Sequence, residues 1–194
     1  MTAIADNPNM SPLAKLRDPA AWIRTVDVLV VLLALALPWS TSLVGIFGVL
    51  IVLAILPTLD AGAFARSVQR PICAVPIALF VLALVGTLWS DAPWGGRFYA
   101  VGPTAKLLVL PFLLYHFGRS ERGLWVFIAF LASCSLLVVM SWIVVFFPDL
   151  TLKAKDVASR GIFVKNYIDQ SQEFALCAVA LAYPIVMLLR ARRI

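Results

Sequence analysis

The residues of this chain most able to do chemistry are cations in unusual places. Lys106 stands inside an apolar run, four residues beyond Gly102, and an ionisable group at membrane depth is by default a functional candidate. The plainer alternative is a lysine near the outer interface, its stem in lipid and its ammonium among headgroups. Arg97 follows the turn Trp94-Gly95-Gly96, where its guanidinium can fork onto phosphate oxygens or meet an ordinary lipid headgroup. Lys153, Lys155, Arg160 and Lys165 gather in one stretch with Asp156 among them. A diphosphate-bearing ligand is one reason to hold cations there, with Arg160 the best single choice and Lys165, Arg97 and Lys106 as further contacts. A solvated loop, partly balanced by Asp156 and Asp169, is the other reading.

Other chemistries are thinly represented. Asp169 and Glu173 are four apart and would share a helix face, as an acid/base pair needs. The same residues also look like a helix start, with Asp169 as N-cap, Gln172 reaching back, and acids at the positive end of the dipole. Capping is the preferred reading. His116, the single histidine, is expected at a helix end beside Phe117 and Gly118, a poor setting for a metal that needs several ligands. Cys73, Cys134 and Cys177 fall in three separate apolar spans without metal-like spacing and read as small hydrophobes. No Ser/His/Asp set, phosphate loop, dinucleotide fingerprint or zinc pattern occurs. No catalytic residue, metal or cofactor is therefore assigned.

The elements that must position these cations are apolar. The chain has 62% hydrophobic and 13% charged residues, against about 25% charged residues in a soluble domain. Its mean hydropathy is +0.97. Residues 1–25 read as a polar cytoplasmic tail, and 26–194 as an all-α transmembrane domain of about six crossings. Val26 to Leu59 is too long for one crossing, and Pro38-Trp39-Ser40-Thr41-Ser42 divides it into a helical hairpin. Further spans are expected over Pro71–Trp89, Phe98–Phe117, Leu124–Phe147 and Ser171–Leu189, with a loop carrying Arg66 and Arg70 before the third and an extracytoplasmic loop over 148–170. Placing both ends in the cytoplasm puts ten of the sixteen basic residues on that side, the positive-inside arrangement of a bacterial inner-membrane protein. The net charge of +6 is scattered between apolar helices rather than clustered on one face. Anionic lipid, not nucleic acid, is the expected counter-charge.

Four segments, in order, carry a resemblance: Leu37-Pro38-Trp39-Ser40-Thr41-Ser42, Gly86-Thr87-Leu88-Trp89-Ser90-Asp91, Lys106-Leu107-Leu108-Val109-Leu110-Pro111, and Ser159-Arg160-Gly161-Ile162-Phe163-Val164-Lys165-Asn166-Tyr167. Together they resemble the N-terminal half of O-antigen ligase and O-antigen polymerase family proteins. The resemblance implies a metal-independent glycosyltransferase that takes a glycan from undecaprenyl diphosphate at the periplasmic face. The ligase delivers it to lipid A core and the polymerase joins repeat units. Arginines would neutralise the diphosphate leaving group, and Arg160 matches by position the first of them. The family's general base is a histidine in a large periplasmic loop beyond the region matched. His116 is expected on the opposite side of the membrane, so the 194-residue chain is expected to lack transferase activity by itself. A small anion transporter lined by Lys106 and Arg97, or an assembly subunit, are the competing readings.

Overall fold

The computed structural model describes residues 18–147, 149, 161–164 and 166–191, and every regular element among them is helical. We label the α-helices α1 (Pro19–Ala36), α2 (Thr41–Ile55), α3 (Ala61–Val68), α4 (Pro71–Gly86), α5 (Trp94–Ala105), α6 (Val109–Phe117), α7 (Gly123–Phe146) and α8 (Tyr167–Ala191). Short 3-10 turns extend α2 over Leu56–Thr58 and join α5 to α6 over Lys106–Leu108. Five continuous stretches are long and apolar enough to cross a membrane: Pro19–Ala36, Thr41–Thr58, Trp94–Phe117, Gly123–Phe146 and Tyr167–Ala191. The bent pair α3 and α4 makes a sixth if counted as one span. Large apolar side chains such as Val49, Leu82, Val179 and Leu188 stand more than half exposed. Outward-facing apolar surface on this scale requires hydrocarbon as its solvent, so the chain is a multi-pass membrane protein.

The helix boundaries follow from local chemistry. α1 begins inside the segment expected to be tail, because Asp18-Pro19 is a ready helix start: the Asp18 carboxylate accepts from the Ala20 N–H at 3.0 Å, and proline at the first helical position gives up a donor that would lack a partner there. The hairpin turns where expected. The N–H groups of Trp39 and Ser40 both bond the Ala36 carbonyl at 3.0 Å, and Ser40 Oγ accepts from the Leu43 N–H to start α2. The segment carrying Arg66 is a helix rather than a loop, set by Asp60, whose Oδ1 accepts from the Ala63 N–H at 2.9 Å. α3 then bends by 81° into α4, which starts on Pro71. α8 starts at Tyr167, so its cap is Asn166, whose Oδ1 accepts from the Asp169 N–H at 2.8 Å. Asp169 is thus in the first turn, not the cap, and its charge still meets the positive end of the helix.

The chain divides into two compact units. The first comprises Met1–Val30 with Phe47–Arg122, the second Val31–Ile46 with Gly123–Ile194. In the first, α4 packs on α5, and α3 on α6. Phe64 of α3 lies 4.8 Å from Phe112 and 5.9 Å from Tyr115 between ring centroids. Gly48 lets α2 approach α6, since a Cβ there would meet Val109 Cγ2 at 3.2 Å.

In the second unit, Ala34, Ala129, Phe130 and Cys134 form a buried cluster with Val31, Val126, Leu131 and Cys177 around it. A polar bolt crosses this apolar contact: Trp39 Nε1 donates to Ser133 Oγ at 2.8 Å, and Ser133 Oγ donates to the Leu35 carbonyl at 2.7 Å. That hydroxyl therefore relieves two groups with no water to turn to. Ser133→Ala is expected to cost about 1 kcal/mol and to lower the thermal midpoint of the detergent-solubilised chain. Trp39→Phe added to it should cost less than Trp39→Phe alone, and additive losses would remove the bolt.

Candidate functional site

Of the four cations singled out by sequence, Arg160 and Lys165 lie outside the described residues, as do Lys153 and Lys155. Arg97 is in the first turn of α5. Its Nη1 donates to the Thr87 carbonyl at 2.9 Å, its Nε donates to the Ala92 carbonyl, and its guanidinium lies 4.6 Å from the Trp94 ring centroid. Thr87 caps α4, so the guanidinium meets the negative end of that helix and closes the turn into α5. Two of its five N–H donors are engaged by main chain.

Lys106 opens the 3-10 turn between α5 and α6. It is twelve residues past Trp94 and eleven before Phe117, the ends of its span, or roughly 17 Å of helix rise from either end. That is the middle of the span by residue count. Nine positions separate it from Arg97, about 13 Å along the helix. The structure does not bring these two cations together.

The described end of the cation-rich stretch is firmly seated within the second unit. Gly161 has φ +76°, and a Cβ there would meet Val145 Cγ2 at 3.3 Å. Glycine is therefore required twice, for the left-handed backbone and for the close approach to α7. Gln170, in the first turn of α8, donates through Nε2 to the Gly161 carbonyl at 3.0 Å and to Ser141 Oγ at 2.8 Å. Phe163 meets Trp39 edge to face at 6.1 Å, and Ile162 is buried. Gln170 Oε1 is buried with no hydrogen-bond partner among the described residues. In the sequence Gln170 is simply the neighbour of the expected cap Asp169. Its long amide instead ties the residue after Arg160 to α7.

A second polar centre, in the first unit, was missed altogether. Asp27 of α1 is 5% exposed and His116 of α6 is 4% exposed. His116 Nε2 lies 2.8 Å from Asp27 Oδ1, Ser120 Oγ donates to the same oxygen at 2.6 Å, and Arg122 Nε lies 3.7 Å from Oδ2. A carboxylate can only accept, so Nε2 carries the proton in this contact. Serine, histidine and aspartate do meet here, yet both donors bond the carboxylate and the hydroxyl does not face the imidazole. The set is no nucleophile-and-base relay. Next to it, Tyr115 uses its full inventory: its hydroxyl donates to the Thr58 carbonyl at 3.0 Å and accepts from the Asp60 N–H and from Arg119 Nη1, each at 2.9 Å. Arg119 Nη1 also donates to the Thr58 carbonyl. The Ala63 N–H, aided by the Gly62 N–H and by Arg66 and Arg119, holds the Asp60 carboxyl below its ordinary range.

The sequence signal for this centre was present. Asp27 is an acid inside an apolar run, and such a residue demands a donor elsewhere in the chain. Among the described residues no group of three or more His, Cys, Asp or Glu is placed to hold a metal. No family model, curated protein or solved structure matches the chain. The function must therefore be argued from these centres and from the resemblance above.

Asp27→Ala would leave an imidazole and a hydroxyl buried without their acceptor, and is expected to cost about 3 kcal/mol. Asp27→Asn keeps an acceptor oxygen and should cost about half as much. Thermal unfolding of the full chain in detergent checks the order, and equal midpoints for wild type and Asp27→Ala would dissolve the network.

Proposed function

We propose that this chain is an O-antigen ligase-like protein of the bacterial inner membrane, with its N-terminus in the cytoplasm, that holds an undecaprenyl-diphosphate-linked glycan for transfer to lipid A core. An O-antigen polymerase, joining repeat units, would use the same donor. The observation that carries this reading is the seating of Gly161–Val164. These residues belong to Ser159–Tyr167, one of the four segments that carry the resemblance, and Gln170, Ser141, Val145 and Trp39 hold them within one unit. Binding a diphosphate without a metal requires a backbone held at a set place beside the cations, and Gly161–Val164 supply such a backbone.

Topology supports the reading. With α3 and α4 counted as one crossing, the connections at 37–40, 87–93 and 147–166 follow the first, third and fifth spans and so belong to one membrane face. Three of the four resembling segments belong to these connections in the sequence, and Arg97 follows one of them. The positive-inside assignment makes that face periplasmic. Holding the diphosphate is the role this chain has residues for. The catalytic base of the reaction is not among the residues assigned.

A second reading, a small anion transporter, draws on one observation: Lys106 lies at mid-span on a broken helix, the place where transporters coordinate charge.

One experiment separates the two. The full chain in lipid nanodiscs is titrated with radiolabelled undecaprenyl diphosphate, and in parallel reconstituted into proteoliposomes for anion flux. Arg160→Ala is expected to weaken binding by roughly tenfold, the scale of one charge-assisted hydrogen-bonded contact. Gln170→Met, which keeps the volume and removes both hydrogen bonds, is expected to weaken it by about fivefold in the wild-type background and not further in Arg160→Ala. Binding unaltered by Arg160→Ala removes the diphosphate reading, and anion flux abolished by Lys106→Met installs the transporter.

A further inference from the structure

α3 is an eight-residue helix that stands at 81° to α4. α4 is apolar from end to end, whereas α3 carries Arg66 in its last turn and is followed at once by Arg70. An exposed guanidinium does not sit in hydrocarbon without a partner, so α4 is the membrane-crossing member of the pair and α3 lies close to the membrane plane, at headgroup depth. It is not a loose attachment. Its inner side is held by Phe64 against Phe112 and Tyr115, and its start is held by the Asp60 N–H to Tyr115 and by the Asp60 cap.

The outer side is different. Ala61, Gly62, Ala65, Arg66, Gln69 and Arg70 are all exposed, a surface of small residues with one guanidinium in the last turn of α3 and a second at the bend, where Arg70 precedes α4 in extended backbone. Acids nearby do not neutralise it. Asp27 is buried under His116, Ser120 and Arg122, and Asp60 is engaged in capping α3 while feeling both Arg66 and Arg119. Arg119 and Arg122 at the end of α6 add to the same excess of positive charge. The side-chain type is informative as well: every cation just named is arginine and none is lysine. Arginine forks onto two phosphate oxygens, where an ammonium offers only a point charge.

We infer that the outer face of α3, through Arg66 and Arg70, is a docking surface for the phosphate headgroup of an anionic phospholipid in the surrounding bilayer. The small residues beside the arginines let a headgroup lie flat on the helix, and the 81° bend holds both guanidinium groups at the depth of the phosphates. The site is separate from the diphosphate segment and does not depend on that reading. Its consequence is a fixed depth for α3, and through Tyr115 for the end of α6.

The test is lipid titration of the delipidated full chain in detergent, read by native mass spectrometry, with phosphatidylglycerol as the anionic probe and phosphatidylcholine as the zwitterionic one. Wild type is expected to prefer phosphatidylglycerol. Each of Arg66→Gln and Arg70→Gln should weaken that binding by about fivefold, and the double variant by about twenty-five-fold, from the usual worth of one arginine near an anionic surface. Arg66→Lys with Arg70→Lys should lose less, because charge remains and only the fork is gone. Ala65→Glu, at an exposed helical position that packs on nothing large, provides a second variant that repels the same lipid without removing a guanidinium. Phosphatidylglycerol binding unchanged in the double glutamine variant or in Ala65→Glu overturns the inference, as does equal binding of the two lipids by wild type.

Discussion

Asp27 is a buried carboxylate inside a largely apolar helix, and it fixes much of the first unit. In hydrocarbon there is no water to satisfy it, so the chain must supply donors from elsewhere. They come from residues 116 to 122, nearly ninety positions later: an imidazole, a hydroxyl and a guanidinium. A contact that leaves Asp27 bare is far costlier than one apolar packing arrangement exchanged for another. The pairing of α1 with the end of α6 is therefore selected by a polar requirement. Hydrophobic contact alone, which is weakly directional and absent as a driving force between helices in lipid, does not select it.

The same rule operates in the second unit with neutral groups. Ser133, Trp39, Ser141 and Gln170 each place a polar atom where lipid would otherwise be the only neighbour, and each finds a partner on another element. Ser141 first bonds the Leu137 carbonyl one turn earlier at 2.8 Å, then accepts from Gln170. A single hydroxyl thus joins the α7 backbone to the first turn of α8. The Trp39 and Gln170 ends of these contacts lie beside the connections, while Ser133 receives its partners in the middle of α7. In Gln170 one half of the amide closes the loop while the other half is an acceptor buried without a partner among the described residues.

What could be read from sequence was what depends on averages over many residues. Hydropathy over twenty positions locates spans, and Pro38-Trp39-Ser40 in the middle of an over-long run locates the hairpin, because both signals are local. The amphipathic pair of turns after Asp60 is local too, but Ala61–Val68 is rich in small residues and carries Arg66, which looks like a loop between spans, and only its cap marks it as a helix. The choice of Asn166 over Asp169 as the α8 cap was equally open, since both residue types serve and three positions decide between them. The partners of Asp27 and of Gln170 were not legible. Each depends on which distant side chain arrives, and periodicity carries no information about that. Arg97 shows a different limit: sequence read Trp94-Gly95-Gly96 as a turn ahead of it, whereas these residues already belong to α5, and its use as a cap for α4 needs the carbonyls of Thr87 and Ala92 to face it, a matter of local geometry rather than composition.

Lys106 is best understood together with the break it occupies. Pro103 has no N–H to give the Tyr99 carbonyl, and Pro111 has none for the Leu107 carbonyl, so the stretch between Trp94 and Phe117 loses two ladder bonds through prolines three residues before the lysine and five after it. The 3-10 turn at Lys106–Leu108 lies between the two prolines. Carbonyls without their usual donor are costly in lipid, and so is an ammonium. On this argument the two prolines and the lysine form one device, and removing the charge alone should not restore a straight helix. A membrane span that keeps both the break and the cation at its centre has a reason to present charge at that depth. Lys106 is also a candidate the diphosphate reading does not require, and that independence gives the flux measurement its discriminating power.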